Sequence, residues 1–137
     1  MSTCSEQVLS TVQDFLDRYA KQDLEGCLAL FSSTKPILVF GTNADEVVSG
    51  IEPLRANLVK DFSNLSNIRW GERRKLHVEC EGDLASLLIE LPISYESDGA
   101  ENRALFRYAL TLNREGGEWK IRAGMASVPF APETYSF

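Results

Sequence analysis

Apolar residues follow two periods along this chain, and the change from one to the other divides it. Val8, Leu9, Val12, Phe15, Leu16 and Tyr19 recur at helical spacing, and Gln13, Asp14, Asp17 and Arg18 fill the opposite face. Thr3 and Glu6 stand ahead of them as a capping-box pair. The pattern predicts a first helix over 4–21. Asp23 can cap a second, shorter helix over 24–31, which Pro36 brings to an end. Residues 37–40 form a short apolar strand. Ile51, Leu54, Leu58 and Phe62 then give the stripe of a third helix, with Pro53 in its first turn. From about residue 67 the period becomes two. It predicts strand segments over 67–80, 84–97, 102–114 and 119–128, with turns at Gly82-Asp83, Ser97-Asp98-Gly99 and 115–118. Helices first and consecutive hairpins afterwards imply one antiparallel α+β domain over 1–137.

Alternation also sorts the faces of each strand. Ala85, Leu87, Ile89, Leu91, Ile93 and Tyr95 share one face, and so do Ala104, Phe106, Tyr108, Leu110 and Leu112. In the last strand Trp119, Ile121, Ala123 and Met125 share parity. These are the expected helix-facing positions. In the segment 67–80, Ile68, Trp70, Leu76, Val78 and Cys80 share parity with Glu72 and Arg74. Two readings stand for that charged pair. Either it lines the concave side as a pair, since burying either group alone is costly, or a bulge at Gly71 turns both to solvent. Arg69, Arg73, Lys75 and His77 occupy the opposite parity and read as a solvated or dimer-forming face. Leu84, Leu88, Leu105, Ala109 and Val128 make that outer face partly apolar, which predicts a homodimer through it.

Composition narrows the function classes. A chain of 137 residues suits one domain, and 44% hydrophobic with 25% charged residues places it among globular proteins. Disorder is expected only in the first and last few residues. A net charge of −6 argues against a nucleic-acid or anionic-membrane role. No secretory leader or membrane-length apolar run is evident, so the expected setting is cytoplasmic. Cys4, Cys27 and Cys80 are widely spaced and His77 is the only histidine, which predicts neither a metal site nor a cofactor. Cys27 and Cys80 read as reduced core residues and Cys4 as an exposed thiol. A Cys80–His77 nucleophilic pair is opposed by their spacing of three along a strand.

The segment from Gly41 to Ile51, Gly-Thr-Asn-Ala-Asp-Glu-Val-Val-Ser-Gly-Ile, lies between the first strand and the third helix. Together with Gln22–Phe31 and the ending Trp119-Lys120-Ile121…Ser127-Val128-Pro129, it resembles the SnoaL-like branch of the nuclear-transport-factor-2-like superfamily. The resemblance implies three helices on a strongly curved antiparallel sheet, forming a cone with a pocket. It implies a small apolar or amphipathic ligand and, through the superfamily's enzymes, isomerase-, cyclase- or dehydratase-like chemistry; non-catalytic association domains share the fold. The isomerase pattern places a tyrosine where Phe15 stands and a base where Gly41 stands. Neither Phe15 nor Gly41 can move a proton, so ketosteroid isomerisation is not expected, although the oxyanion-hole position falls near Tyr108, which can donate a hydrogen bond. Met125 stands where one subgroup carries a histidine. The ligand-binding candidates are Phe40, Glu46, Leu58, Phe62, Trp70, Glu72, Arg74, Phe106, Tyr108 and Met125, with Arg74 meeting an anionic ligand end. Glu46 reads either as a helix-end acid or as a group on the pocket rim.

Overall fold

The computed structural model describes residues 2–130; the expectation for the final residues falls outside them. Helix α1 spans Cys4–Ala20, and its capping box is formed: Thr3 Oγ1 accepts from Glu6 N while Glu6 Oε1 accepts from Thr3 N. Asp23 caps α2, which spans Leu24–Leu28 and ends sooner than its apolar run suggests. Strands β1 (Leu38–Phe40) and β2 (Val47–Ser49) form a small hairpin, followed by α3, Ile51–Asn64. The remaining strands are β3 (Ser66–Trp70), β4 (Lys75–Glu81), β5 (Leu84–Ser97), β6 (Ala100–Glu115) and β7 (Glu118–Ser127).

The sheet runs β2-β1-β7-β6-β5-β3, and β4 pairs beside β3 on the same edge of β5. All pairings are antiparallel except β1 with β7. The three helices pack on one face of this curled, unclosed sheet, as the α+β reading requires. Val8, Val12 and Leu16 of α1 meet Leu87, Leu110, Leu112 and Ile121 in one apolar cluster. Beside that cluster Ser32 and Asn113, both buried, donate to Glu115, so their burial does not leave the donors unpaired.

Three readings of the strands need correction. The segment 41–50 carries β2, hidden in sequence because each of its strands is only three residues long. The segment 67–80 is broken. Residues 71–74 arch away between Gly71 N–H bonded to Pro92 O and Arg74 N–H bonded to Glu90 O, and the chain returns in phase, so Trp70 and Val78 both keep the inner face. Finally, β7 changes face. Ile121 pairs with Leu112 but Ala123 pairs with Thr111, so Arg122 is a bulge residue. Beyond it Ala123 and Met125 point to the outer face, opposite to Trp119 and Ile121. Gly124 takes the inner position, where a Cβ would lie 2.3 Å from the Ala109 carbonyl oxygen. Only glycine allows that approach.

The cysteines differ from expectation in one respect. Cys27 is free and buried, and burial pushes its thiol up to about 12. Cys4 and Cys80, however, form a disulfide. Cys80 shares the inner parity of β4 and points toward the first turn of α1, which brings the two Cα atoms to 6.4 Å. Among the described residues no helix is long and apolar enough to cross a membrane.

Candidate functional site

Aromatic residues from four elements meet on the helix-facing side of the sheet. Phe15 and Tyr19 come from α1, Phe62 from α3, Trp70 from β3, and Phe106 and Tyr108 from β6. Helical spacing puts Phe15 and Tyr19 one turn apart, and strand alternation puts Phe106 and Tyr108 side by side. Ring centroids lie 6.0 Å apart for Phe15–Tyr19, 5.3 Å for Tyr19–Phe62, 5.9 Å for Trp70–Phe106 and 5.7 Å for Phe106–Tyr108. Trp70 joins the two halves, at 6.2 Å from Tyr19 and 6.1 Å from Tyr108. Its indole Nε1 donates to the Leu16 carbonyl at 2.9 Å, which fixes the ring against α1. All six rings remain half-buried, in contrast to the core beside them.

A polar pair lies among these rings. Tyr19 donates its hydroxyl to Asp61 Oδ2 at 2.8 Å. Burial raises the Asp61 carboxyl above its ordinary value; the Tyr19 hydrogen bond opposes the rise, Glu46 adds to it and Lys60 opposes it. Burial likewise raises the Tyr19 hydroxyl, helped by the charge of Asp61. Tyr108 is raised by burial and then by Asp61. Its hydroxyl has no hydrogen-bond partner among the described residues. Glu46 closes the β1–β2 loop: its carbonyl accepts from Gly41 N and its Oε1 from Asn43 N at 2.9 Å. It is half-buried and contributes to the electrostatics of both Tyr19 and Asp61.

The sequence candidates therefore separate. Phe62, Trp70, Phe106 and Tyr108 meet in the ring cluster, and Glu46 stands near its polar pair. Leu58 is sealed in the core. Phe40 and Met125 pair in register on the outer face, 42% and 47% exposed. Glu72 lies exposed in the arch. Arg74 stands on the outer face, 3.9 Å from Glu90, so it is not the anion-binding group of the concave side. Tyr19 and Asp61 were missed. Tyr19 passed as one more member of an apolar stripe. Asp61 follows Leu54 by seven and Leu58 by three, which puts a carboxylate on the buried stripe of α3. That placement was legible.

Voids surround the cluster on two sides. An inner void of about 50 Å³ touches Phe15, Phe31, Tyr108 and Leu110. Its volume holds a few waters at most. A groove of about 660 Å³ runs between Gln13 and Asp17 of α1 and Glu72 and Arg73 of the arch, with Trp70 in its wall. On the outer face an apolar groove of about 540 Å³ is lined by Leu88, Ala109 and Met125, with His77, Glu90 and Arg107 around it.

Known structures share this architecture. A candidate dehydratase of the NTF2-like family from Streptomyces avermitilis superposes with a TM-score of 0.81 at 19% identity, over 92% of this chain and 97% of that one. A ketosteroid isomerase-like protein from Erwinia carotovora atroseptica gives 0.80 at 12% identity, over 96% and 100%. A candidate calcium/calmodulin-dependent protein kinase II association domain from Xanthomonas campestris gives 0.80 at 14%, over 97% and 91%. No curated protein matches in sequence. At these identities the structures establish a shared fold, in which enzyme-like and association-type proteins both occur. The SnoaL-like domain model matches residues 8–131, almost the whole described length, and the chain belongs to the SnoaL-like domain family.

Proposed function

We propose that the ring cluster is a binding site for a small, mainly apolar molecule whose polar end meets Tyr19–Asp61 and Tyr108. The observation that carries this is the half-burial of six contacting aromatic rings, one of which, Tyr19, donates to a partly buried carboxylate. Large rings often keep some exposure even in a core, but a carboxylate among them is a costly way to fill one. A few polar groups in an apolar hollow is the character of a ligand site. The inner void is too small to hold such a molecule, so binding displaces a ring. Trp70 is the ring with open volume behind it, in the adjoining groove, and its displacement breaks the indole hydrogen bond to Leu16. Any reaction there is a proton transfer. Asp61, with its raised carboxyl, is the base, and the free Tyr108 hydroxyl is the donor to a developing oxyanion. Such chemistry is of the isomerase, cyclase or dehydratase type. The tyrosine lacking at position 15 stands one helical turn on, at position 19.

The test is a fluorescence titration against aryl ketones and phenols. Trp70 and the buried Trp119 are the two tryptophans, so a Trp70→Phe variant assigns the signal. Saturable quenching that Trp70→Phe removes and Tyr108→Phe weakens supports the site. No binding by any member of the panel would sink it.

The same reading includes a homodimer through the outer face. Val47, Phe40, Met125, Ala109 and Leu88 fall in one register row across five strands, and all but Ala109 are strongly exposed. Burying this row would remove a continuous apolar stripe from water. A Leu88→Glu variant should sediment as a monomer where the parent sediments as a dimer; a monomeric parent at micromolar concentration would overturn the dimer alone.

A further inference from the structure

We infer that the ring-lined hollow selects a cation: its ligand is an organic ammonium, and an anionic ligand is rejected. The inference rests on the reading of the hollow as a ligand site and adds the charge class of what enters it. The electrostatic neighbours of the polar pair are mostly acidic. Tyr19 lies in the fields of Asp61 and Glu46, and Tyr108 in that of Asp61. Asp61 accepts from the Tyr19 hydroxyl and forms no ion pair with a basic side chain among the described residues.

Apart from Arg73, which shares its groove with Asp17 and Glu72, the basic residues nearby are engaged elsewhere. Lys60, the one cation that bears on Asp61, extends toward Asp45 at 3.9 Å on the rim. Arg69 pairs with Glu101, Arg74 and Arg107 with Glu90, and Arg55 with Glu25. Arg73 lies in the groove beyond Trp70. An incoming carboxylate or phosphate would therefore meet like charge and lose its hydration without a donor cation to replace it. An ammonium meets the opposite situation. Carboxylate charge and the negative faces of tryptophan, tyrosine and phenylalanine act in the same direction on it. A cation within about 6 Å of several ring centroids gains from each.

The experiment compares three probes of one shape by calorimetric titration: benzyltrimethylammonium, its uncharged carbon analogue neopentylbenzene, and phenylmethanesulfonate. The cation should bind about tenfold more tightly than the neutral probe, with no detectable binding of the anion. Asp61→Asn should reduce the cation's advantage to about twofold, and an unchanged circular dichroism spectrum shows that the variant is folded. If the neutral probe equals or exceeds the cation, the charge selection is wrong and the hollow remains a ligand site. If none of the three binds, the ligand-site reading fails together with the selection.

Discussion

Strand β6 runs through two different interiors. At its C-terminal end Leu112 is wholly buried with Val8, Val12, Leu87 and Ile121. At its middle Phe106 and Tyr108 stay half-buried, with Tyr108 in the field of Asp61. The first end is also where the disulfide lies: Cys80 pairs with Ala85, which pairs with Leu112. Side chains without polar groups can interdigitate until no surface remains. Large rings around a carboxylate do not close in the same way. One region of the inner face thus holds the fold, and the other is left unsealed by its own chemistry.

The largest effect expected from this division comes from the disulfide. It links residues 76 apart, and in the chain-entropy model a loop of that size stabilises by about 4 kcal/mol. Replacing both Cys4 and Cys80 by serine should lower unfolding stability by about 2–4 kcal/mol in urea, with probe binding in the hollow nearly unchanged. In a reducing compartment the pair would stand as thiols, and the same loss would apply. Alkylation should label only buried Cys27, and only after denaturation, unless a reductant is added first; labelling of Cys4 in the untreated protein would contradict the bridge.

Next in size is a pair of truncations within β6. Leu112→Ala opens a cavity in the sealed end and should cost about 3 kcal/mol. Phe106→Ala removes more atoms but from an incompletely buried ring, and should cost about 1–2 kcal/mol, below the range for sealed aromatic residues. Their order reverses for ligand binding: Phe106→Ala should weaken it about tenfold and Leu112→Ala hardly at all. Equal effects on both measurements would erase the distinction between the two ends.

Asp61 gives a smaller effect with a definite sign. Its folded carboxyl is raised by burial, so between the unfolded value and the folded one the native state binds more protons than the unfolded state. Stability attributable to this group therefore falls as pH rises through that window and recovers as pH drops. Asp61→Asn keeps an acceptor for Tyr19 and removes the charge. The variant should melt about 3 °C higher at pH 7, and the gap should close as pH falls below the window. A melting point that drops at pH 7 would show that the carboxylate stabilises the fold, contrary to a site maintained at some expense of stability.

The sequence disclosed the fold better than the site, for identifiable reasons. Helix caps and period-two strands are local, so Thr3, Glu6, Asp23 and the alternation from Ala85 to Ile93 could be read directly. Of the candidates that miss the inner face, Arg74 lies within a local irregularity and Met125 beyond one. The arch at 71–74 removes Arg74 from the inner face, and the bulge at Arg122 reverses the face of Met125. A single extra residue in a strand changes the side of everything beyond it, and no periodicity announces it. The disulfide was missed because it depends on how α1 crosses β4, a contact between residues far apart in sequence. Asp61 escapes for a different reason: a stripe is recognised by its apolar members, and here the charged one is the informative exception.

Arg74 supplies the smallest expected effect and a direct test of that correction. Its side chain is 62% exposed and its guanidinium Nε lies 3.9 Å from Glu90. Arg107 is nearer, with Nε donating to the same carboxylate at 2.7 Å. Removing Arg74 leaves Glu90 paired, so no isolated charge results. Exposed pairs of this kind contribute well under 1 kcal/mol. Arg74→Met should change stability by less than about 0.5 kcal/mol and leave the affinities of cationic, neutral and anionic probes in their original order. Arg107→Met, which removes the closer partner, should cost more than Arg74→Met in the same titration. If Arg74→Met instead lowers the affinity of one probe class, the arch at 71–74 folds over the ligand, and the arginine belongs to the hollow after all.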